Sequence, residues 1–186
     1  MALETKRCYF TFGRFQPPTT GHKDNFAGVK RTAGQDDYRI YISQSHDAKG
    51  NNPLTPEYKF KIMNKMFPEH KGHIYSGPRD PVKILQDIMM DGYDEVIMLV
   101  GSDRVGAMQF LHKYNGKDFK FRKIDIVSSG SRDADGDTFA VSGTKMRRAA
   151  FAGEFDQFRK GIPKLNDNDC RSLMNEIKAN LPANFK

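Results

Sequence analysis

Short apolar segments alternate with segments of helical periodicity through most of this 186-residue chain. Glu95–Val100 (EVIMLV) is a continuous apolar run, which is typical of a central parallel strand buried on both faces. Four more strands are predicted, at Arg7–Phe12, Tyr38–Gln44, His73–Ser76 and Lys123–Ser128. Alternating strands and helices build right-handed crossovers between parallel strands. We therefore predict an α/β fold with a Rossmann-like, doubly wound, five-stranded parallel sheet.

Two of the predicted helices have recognisable starts. Thr55 precedes Pro56 and Asp80 precedes Pro81, and a capping residue followed by proline marks the first turn of a helix. Helical periodicity and capping residues place the remaining helices at 20–31, 103–114, 142–152, 154–160 and 167–180. The chain beyond Ser142 is therefore expected to be wholly helical.

The length and composition are those of one globular domain, residues 1–186. It is expected to comprise an α/β core, residues 6–141, and a helical C-terminal part, residues 142–186. No apolar run reaches the ~20 residues of a membrane span, and no secretory signal is recognised, so membrane association is not expected. Two cysteines far apart in the chain favour a reducing, cytoplasmic setting.

The net charge of +7 favours an anionic partner: a nucleotide, a nucleic acid or an anionic surface. The alternative is a solvated, lysine-rich exterior. The densest basic segment interleaves cations with aromatic residues, namely Lys113, Tyr114, Lys117, Phe119, Lys120, Phe121, Arg122 and Lys123. We expect its aromatic side chains to lie in the core and its lysines to line a loop and the following strand.

The segment GRFQPPTTGH, residues 13–22, connects the first strand to its helix. Open parallel sheets bind ligands at the carboxyl ends of their strands. Gly13 either lets the backbone approach a ligand or makes the turn. Gly21 and His22 fall at a helix start, where N–H groups and the helix dipole favour anions. His22 can donate to a phosphate oxygen with the Thr19 hydroxyl beside it; the alternative is an ordinary capping histidine.

A second segment, VSGTKMRR at 141–148, opens a later helix. Its hydroxyls, on Ser142 and Thr144, and its cations, on Lys145 and Arg147, suit the β- and γ-phosphates of a triphosphate. Taken alone, Ser142 fits an ordinary N-cap on a basic helix better than a phosphate contact. Two such segments in one small α/β domain favour nucleotide activation.

GRFQPPTTGH resembles the (H/T)xGH signature of the nucleotidyltransferase superfamily, which includes nicotinamide mononucleotide adenylyltransferases, phosphopantetheine adenylyltransferase and cytidylyltransferases. Its GRFQP opening is similar to the archaeal-type nicotinamide mononucleotide enzymes. Thr19 stands where the commoner motif has histidine, as in phosphopantetheine adenylyltransferases. VSGTKMRR is similar to the second signature, SxTxxR, and no RTxGISTT string is present, which favours ATP over CTP. SGSRDADGD and SDRVGAMQFL also resemble uncharacterised cytidylyltransferase-like proteins of tailed phages.

The resemblance covers roughly residues 6–160 and implies an adenylyltransferase, or else a cytidylyltransferase. Catalysis would fall to His22, Thr19, Lys145 and Arg147. The nucleotide would be held by Gly13, Arg14, Phe15, Thr19, Gly21, His22, Gly101, Asp103, Ser142, Gly143, Thr144 and Arg147. Gly101 and Asp103 are included because Gly101–Ser102–Asp103 resembles the GxD turn of bacterial adenylyltransferases; Asp103 could equally be the N-cap of its helix. Mg²⁺ would bridge the phosphates, held mainly by them and by water, and no metal site made of protein ligands is expected.

The acceptor would be a phosphorylated small molecule: nicotinamide mononucleotide first, then phosphopantetheine or a sugar or polyol phosphate. Arg79, Asp80 and the loop at 43–46 follow strand ends and are expected to line its pocket. The segment 128–137 is expected to be a loop that closes over substrate. The location would be the host cytoplasm if a phage encodes the chain.

Other functional classes are also compatible with the sequence. The protein could bind nucleotide without turnover, or be a virion-associated structural protein of a phage. A nucleic-acid binder is suggested by net charge alone and is not favoured, and self-association into a homo-oligomer is left open. Asp133, Asp135 and Asp137 begin like a calcium loop, but the required glycine and glutamate are missing.

Overall fold

The computed structural model of the protein describes residues 4–129 and 142–186. Its core is a five-stranded sheet in which every pairing is parallel, in the order β3-β2-β1-β4-β5. The strands are β1 Arg7–Gly13, β2 Asp37–Ile42, β3 Ile74–Ser76, β4 Glu95–Val100 and β5 Lys123–Ser128. The predicted α/β fold with a parallel five-stranded sheet is confirmed.

The helices begin where the capping residues predict. The Thr55 hydroxyl accepts from the Tyr58 N–H at 3.1 Å, and the Asp80 carboxylate accepts from the Lys83 N–H at 3.0 Å. The α-helices are α1 Thr20–Ala33, α2 Pro56–Met66, α3 Pro81–Met90, α4 Val105–Met108, α5 Gly143–Ala152, α6 Phe155–Lys160 and α7 Asp167–Asn180. Short 3-10 helices span Pro68–His70, Ser102–Arg104 and Gln109–Tyr114.

The helices cover the sheet on both faces. On one face, α1 and α2 share a hydrophobic core with α5, α6 and α7. On the other, α3 and the segment at 105–121 pack over β1, β4 and β5. The helical C-terminal part therefore contributes side chains such as Met146, Phe158 and Leu173 to the same core as α1. No helix in the two described stretches is long and apolar enough to cross a membrane.

The single helix predicted at 103–114 is wrong in detail. The structure breaks it into the 3-10 turn Ser102–Arg104, the four-residue α4 and the 3-10 turn Gln109–Tyr114. Gly106 is a poor helix former, and Leu111 is the one buried side chain that these three pieces contain. A segment with so little buried apolar surface gains little from a continuous helix.

The basic segment is placed largely as expected. Phe119 and Phe121 are buried in the core, whereas Tyr114 is 38% exposed and contradicts the prediction that all three aromatic side chains lie inside. Arg122 pairs with Glu95, and the Lys123 ammonium lies 3.2 Å from Asp125. Part of the local positive charge is therefore neutralised within the fold.

The sheet order sets the place of a ligand site. The chain builds β1, β2 and β3 outward to one side of the sheet, then crosses to the other side for β4 and β5. The order therefore reverses between β1 and β4, and parallel α/β sheets bind ligands outside the carboxyl ends of the strands at such a point. Gly13 and Val100 end these two strands.

Candidate functional site

The first loop, residues 14–19, leaves β1 at the switch point and enters α1. Phe15 adopts a left-handed backbone with φ of 50°, a conformation that costs a non-glycine residue about 1–3 kcal/mol. Its ring is 3% exposed and packs edge-on against His22 and Phe26. A Cβ on Gly13 would lie 2.7 Å from that ring. Gly13 thus makes room for the Phe15 side chain, which belongs to the core.

His22 is held by the start of its own helix. The Thr19 N–H donates to His22 Nδ1 at 3.0 Å, and the Thr19 hydroxyl oxygen lies 3.2 Å from the same nitrogen. Because Nδ1 accepts from a backbone N–H, the proton of the neutral imidazole sits on Nε2. The capping role and the ligand role are therefore compatible, since they use different nitrogens. Thr19 is 1% exposed, so its hydroxyl positions His22 and lies away from the surface.

Gln16 ties the first loop to the loop that follows β2. Its side-chain amide donates to the Leu54 carbonyl at 2.9 Å and accepts from the Leu54 N–H at 2.8 Å. A further contact reaches the Ser45 carbonyl at 3.3 Å. Gln16 is 3% exposed, and sequence reasoning missed it although it stands inside GRFQPP. It braces the loop at 43–46, which was expected to line an acceptor pocket.

The start of α5 carries the second motif. Ser142 is the N-cap and its hydroxyl accepts from the Lys145 N–H at 3.1 Å. The Thr144 hydroxyl accepts from an Arg147 nitrogen at 3.2 Å. Lys145 and Thr144 are exposed, whereas Arg147 is buried. Ser142 is thus the capping residue that the simpler alternative describes.

Arg147 is a buried cation at the point where the two motifs meet. It is 5% exposed, and it donates to the Gln16 carbonyl of the first loop at 2.8 Å. Its Nε is buried without a hydrogen-bond partner, and no carboxylate of residues 4–129 or 142–186 lies within 4.0 Å. Burial, and after it the charge of Arg14, lower the pKa of Arg147, while Asp47 acts in the opposite direction. A buried guanidinium that lacks a carboxylate partner and a hydrogen bond at Nε favours the binding of an anion.

Gly143 allows the two motifs to approach closely. A Cβ there would lie 3.0 Å from a terminal nitrogen of Arg147 and 3.1 Å from the Gln16 carbonyl oxygen. The N-terminus of α5 therefore packs directly on the first loop. The two segments that looked like phosphate sites, more than a hundred residues apart in the chain, form one surface.

Lys59 is a second buried cation that sequence reasoning missed. It is 0% exposed, and its ammonium donates to the carbonyls of Arg14 and Ser43 at 2.8 Å each. Burial, and then the charge of Arg14, lower its pKa to about 8. The sequence indicates this burial, because Lys59 shares a helical face with Ile62, Met63 and Met66.

The remaining predicted residues follow the ends of parallel strands, at the same edge of the sheet. Gly101 is buried at the end of β4, and Asp103 is exposed inside the 3-10 turn that follows, so Asp103 does not cap α4. Both stand at the same sheet edge as the first loop, but no hydrogen bond among the described residues joins Asp103 to the two motifs. Arg14, Gly21 and Arg79 are exposed, and Asp80 is used as the cap of α3. Most of the segment expected to close over the site, 128–137, lies outside the described residues.

The site offers cations and N–H donors, which is a surface for phosphate oxygens. In the described part of the chain, no group of three His, Cys, Asp or Glu side chains could hold a metal ion. The donor set at the two motifs does not itself make a Mg²⁺ site, so Mg²⁺ would enter with a triphosphate that supplies its ligands. No protein-family model matches the chain, and no curated protein matches it.

Proposed function

We propose that the protein is a nucleotidyltransferase that transfers a nucleoside monophosphate, AMP from ATP before CMP from CTP, to a phosphorylated small molecule. Arg147 is the observation on which the proposal rests most. It is a buried guanidinium without a carboxylate partner in the described chain, and it lies between the first loop and the N-terminus of α5. An anion between these elements would complete its coordination, and a triphosphate fits two adjacent helix starts.

The reaction needs no general base. A phosphate acceptor is mostly ionised near neutral pH because its second pKa is about 6. Its oxygen attacks the α-phosphorus of the nucleotide, and the bond to the oxygen that bridges to the β-phosphorus breaks. The electron pair leaves with pyrophosphate. The work of the protein is then positioning and charge stabilisation.

Each of the cationic and hydroxyl side chains at the two motifs has a proposed role in this step. Nε2–H of His22 donates to the α-phosphate as negative charge shifts away from it. Arg147 and Lys145 neutralise the departing pyrophosphate. The hydroxyls of Ser142 and Thr144 orient its oxygens, and Thr19 acts on His22. Losing one such donor can cost ~10²–10³ in rate.

We place the acceptor at the loop that Gln16 braces. The loop at 43–46 follows β2 beside the first loop, so an acceptor seated there would approach the α-phosphate from the neighbouring strand end. Nicotinamide mononucleotide is the first candidate, followed by phosphopantetheine and sugar or polyol phosphates. The proposal places the activity in the cytoplasm, that of the host if a phage encodes the chain.

The test is pyrophosphate release from the purified protein with Mg²⁺, ATP or CTP, and each acceptor in turn. Release that depends on one nucleotide–acceptor pair supports the proposal and names the substrates. Binding of nucleotide without release from any pair would indicate a nucleotide-binding protein that has no turnover with these acceptors. Absence of nucleotide binding contradicts the proposal.

A further inference from the structure

Lys59 lies beneath the first loop and has no established part in the proposed chemistry. Its ammonium is fully buried and donates to three oxygens: the Arg14 carbonyl at 2.8 Å, the Ser43 carbonyl at 2.8 Å and the Ser43 hydroxyl at 3.2 Å. No carboxylate in the described chain lies within 4.0 Å of it. An unpaired buried charge is costly unless hydrogen bonds satisfy it, so these three oxygens account for its burial.

The ammonium joins two loops at the carboxyl edge of the sheet. β1 and β2 end in register at Gly13 and Ile42, and the Ser43 N–H donates to the Gly13 carbonyl at 2.9 Å. Beyond that bond the two strands separate into their loops. Lys59 therefore extends the connection between them by one residue, because it binds the carbonyl of the next residue, Arg14, together with that of Ser43.

This contact fixes the orientation of one peptide unit. The Arg14–Phe15 peptide is trans, so its C=O and N–H point in opposite directions. With the Arg14 carbonyl turned inward to Lys59, the Phe15 N–H points away from the buried ammonium. Phe15, the next residue, has a left-handed φ of 50°. Rotating the peptide would break the bond to Lys59.

Arg147 acts on the same loop two residues later, through the Gln16 carbonyl. Two buried cations, from α2 and α5, thus hold carbonyls of residues 14 and 16. We infer that Lys59 is a positioning residue, which holds the first loop with its carbonyls inward and so presents its outward backbone to the anionic part of the nucleotide. The nucleotide part of this inference rests on the proposed function; the part concerning loop order does not.

The experiment compares Lys59→Met with Lys61→Met, an exposed lysine on the same helix. The first readout is hydrogen exchange, without nucleotide, at the amides of Ser43 and Thr19, which are bonded to Gly13 and His22. We expect exchange at least tenfold faster in Lys59→Met and unchanged in Lys61→Met. The second readout is the dissociation constant for ATP and CTP, expected to rise at least tenfold in Lys59→Met alone.

A folded Lys59→Met protein with wild-type exchange at both amides would overturn the inference. If circular dichroism shows that Lys59→Met does not fold, Lys59→Gln carries the test, since it keeps a donor at the position. Exchange faster than wild type is expected there, and wild-type exchange would again overturn the inference. If wild-type protein binds neither nucleotide, the proposed function fails, while the exchange result still decides the role of Lys59.

Discussion

Arg147 donates a 2.8 Å hydrogen bond to the carbonyl of Gln16, a residue 131 positions earlier in the chain. The bond joins the N-terminus of α5 to the loop after β1, at the switch point of the sheet. It leaves one guanidinium nitrogen, Nε, buried without a partner in the described residues. A bound anion that accepts a hydrogen bond from this nitrogen would therefore stabilise the buried cation.

Arg147→Met should therefore remove nucleotide affinity and leave the fold intact. Methionine fills a similar volume without the charge, and replacing a buried charge by an apolar side chain of similar size is often neutral for stability. The Gln16 carbonyl loses a donor, so the free energy of unfolding should change by less than ~2 kcal/mol. kcat/KM for pyrophosphate release should fall by ~10²–10³. Urea unfolding measures the free energy of unfolding, and the release assay measures kcat/KM. An unchanged kcat/KM would contradict the proposed role of Arg147 in holding the nucleotide.

His22 has two functions that two variants separate. His22→Ala removes both the acceptor for the Thr19 N–H and the Nε2 donor, so it should cost ~1 kcal/mol of stability as well as turnover. His22→Gln keeps a side chain suited to this position of a capping box. It should unfold like wild type yet show turnover reduced by ~10²–10³, as in the alanine variant. Near-wild-type turnover in His22→Gln would show that the imidazole only caps the helix.

Gly143→Ala should push the two motifs apart. The new Cβ would meet the Gln16 carbonyl oxygen at 3.1 Å and an Arg147 nitrogen at 3.0 Å, and overpacking of this kind costs ~1–3 kcal/mol. Nucleotide affinity should fall by about tenfold, which corresponds to 1.4 kcal/mol. Gly106→Ala is the matched control, because nothing lies within 4 Å of a Cβ there. Equal nucleotide affinity in the two alanine variants would contradict a role of the close packing at Gly143 in nucleotide binding.

The proton on Lys59 should give affinity and stability opposite dependences on pH. Burial, and then Arg14, lower its pKa from 10.5 to about 8. As pH rises through about 8, the ammonium loses its proton and its hold on the Arg14 carbonyl, so nucleotide affinity should fall. Between about pH 8 and 10.5 the unfolded chain binds a proton that the folded chain has released, so this group makes stability rise.

Lys59→Met should remove both of these dependences, and isothermal titration and urea unfolding from about pH 7 to pH 10 would measure them. The difference between wild type and the variant isolates Lys59 from other titrating groups. If nucleotide affinity and the free energy of unfolding depend on pH in the same way in both proteins, these dependences do not come from Lys59.

Arg39 should matter for stability and not for the site. It is 4% exposed in β2, and its guanidinium lies 2.7 Å from Asp91 and 3.5 Å from Asp87 on α3. Arg39→Met should lower the free energy of unfolding by about 1–2 kcal/mol, because it removes the hydrogen bond to the Tyr41 hydroxyl and the contacts to Asp87 and Asp91, whose carboxylates are partly exposed. Arg122→Met, at an exposed arginine, should cost less than ~1 kcal/mol since Arg7 still pairs with Glu95. Urea unfolding measures both variants, and equal losses of unfolding free energy would contradict a larger contribution of Arg39 than of Arg122 to stability.

Local signals predicted most of the fold because they coincide with the packing. The cap–proline pairs at Thr55 and Asp80 mark helix starts, and β4 has the bounds that its apolar run predicts. Residues 103–114 were predicted as one helix because their residue types permit one. The helix is broken because the segment buries little apolar surface, and that burial depends on tertiary packing. Sheet order is likewise set by which faces pack together.

The site was predicted only in part. Both motifs and their residues could be named from the sequence, but that Gly13 accommodates Phe15 and that Thr19 is buried depend on loop geometry. Lys59 and Gln16 were missed because lysine and glutamine usually lie at the surface. The periodicity that places Lys59 with Ile62 and Met66 was visible, and only its charge argued against burial.

We would first measure pyrophosphate release with ATP or CTP against a panel of phosphorylated acceptors, comparing wild type with His22→Gln and Arg147→Met. We expect release from wild type with one nucleotide–acceptor pair, and rates lower by ~10²–10³ in both folded variants. Release that persists unchanged in both variants, or a wild-type protein that binds no nucleotide, would contradict the proposed function.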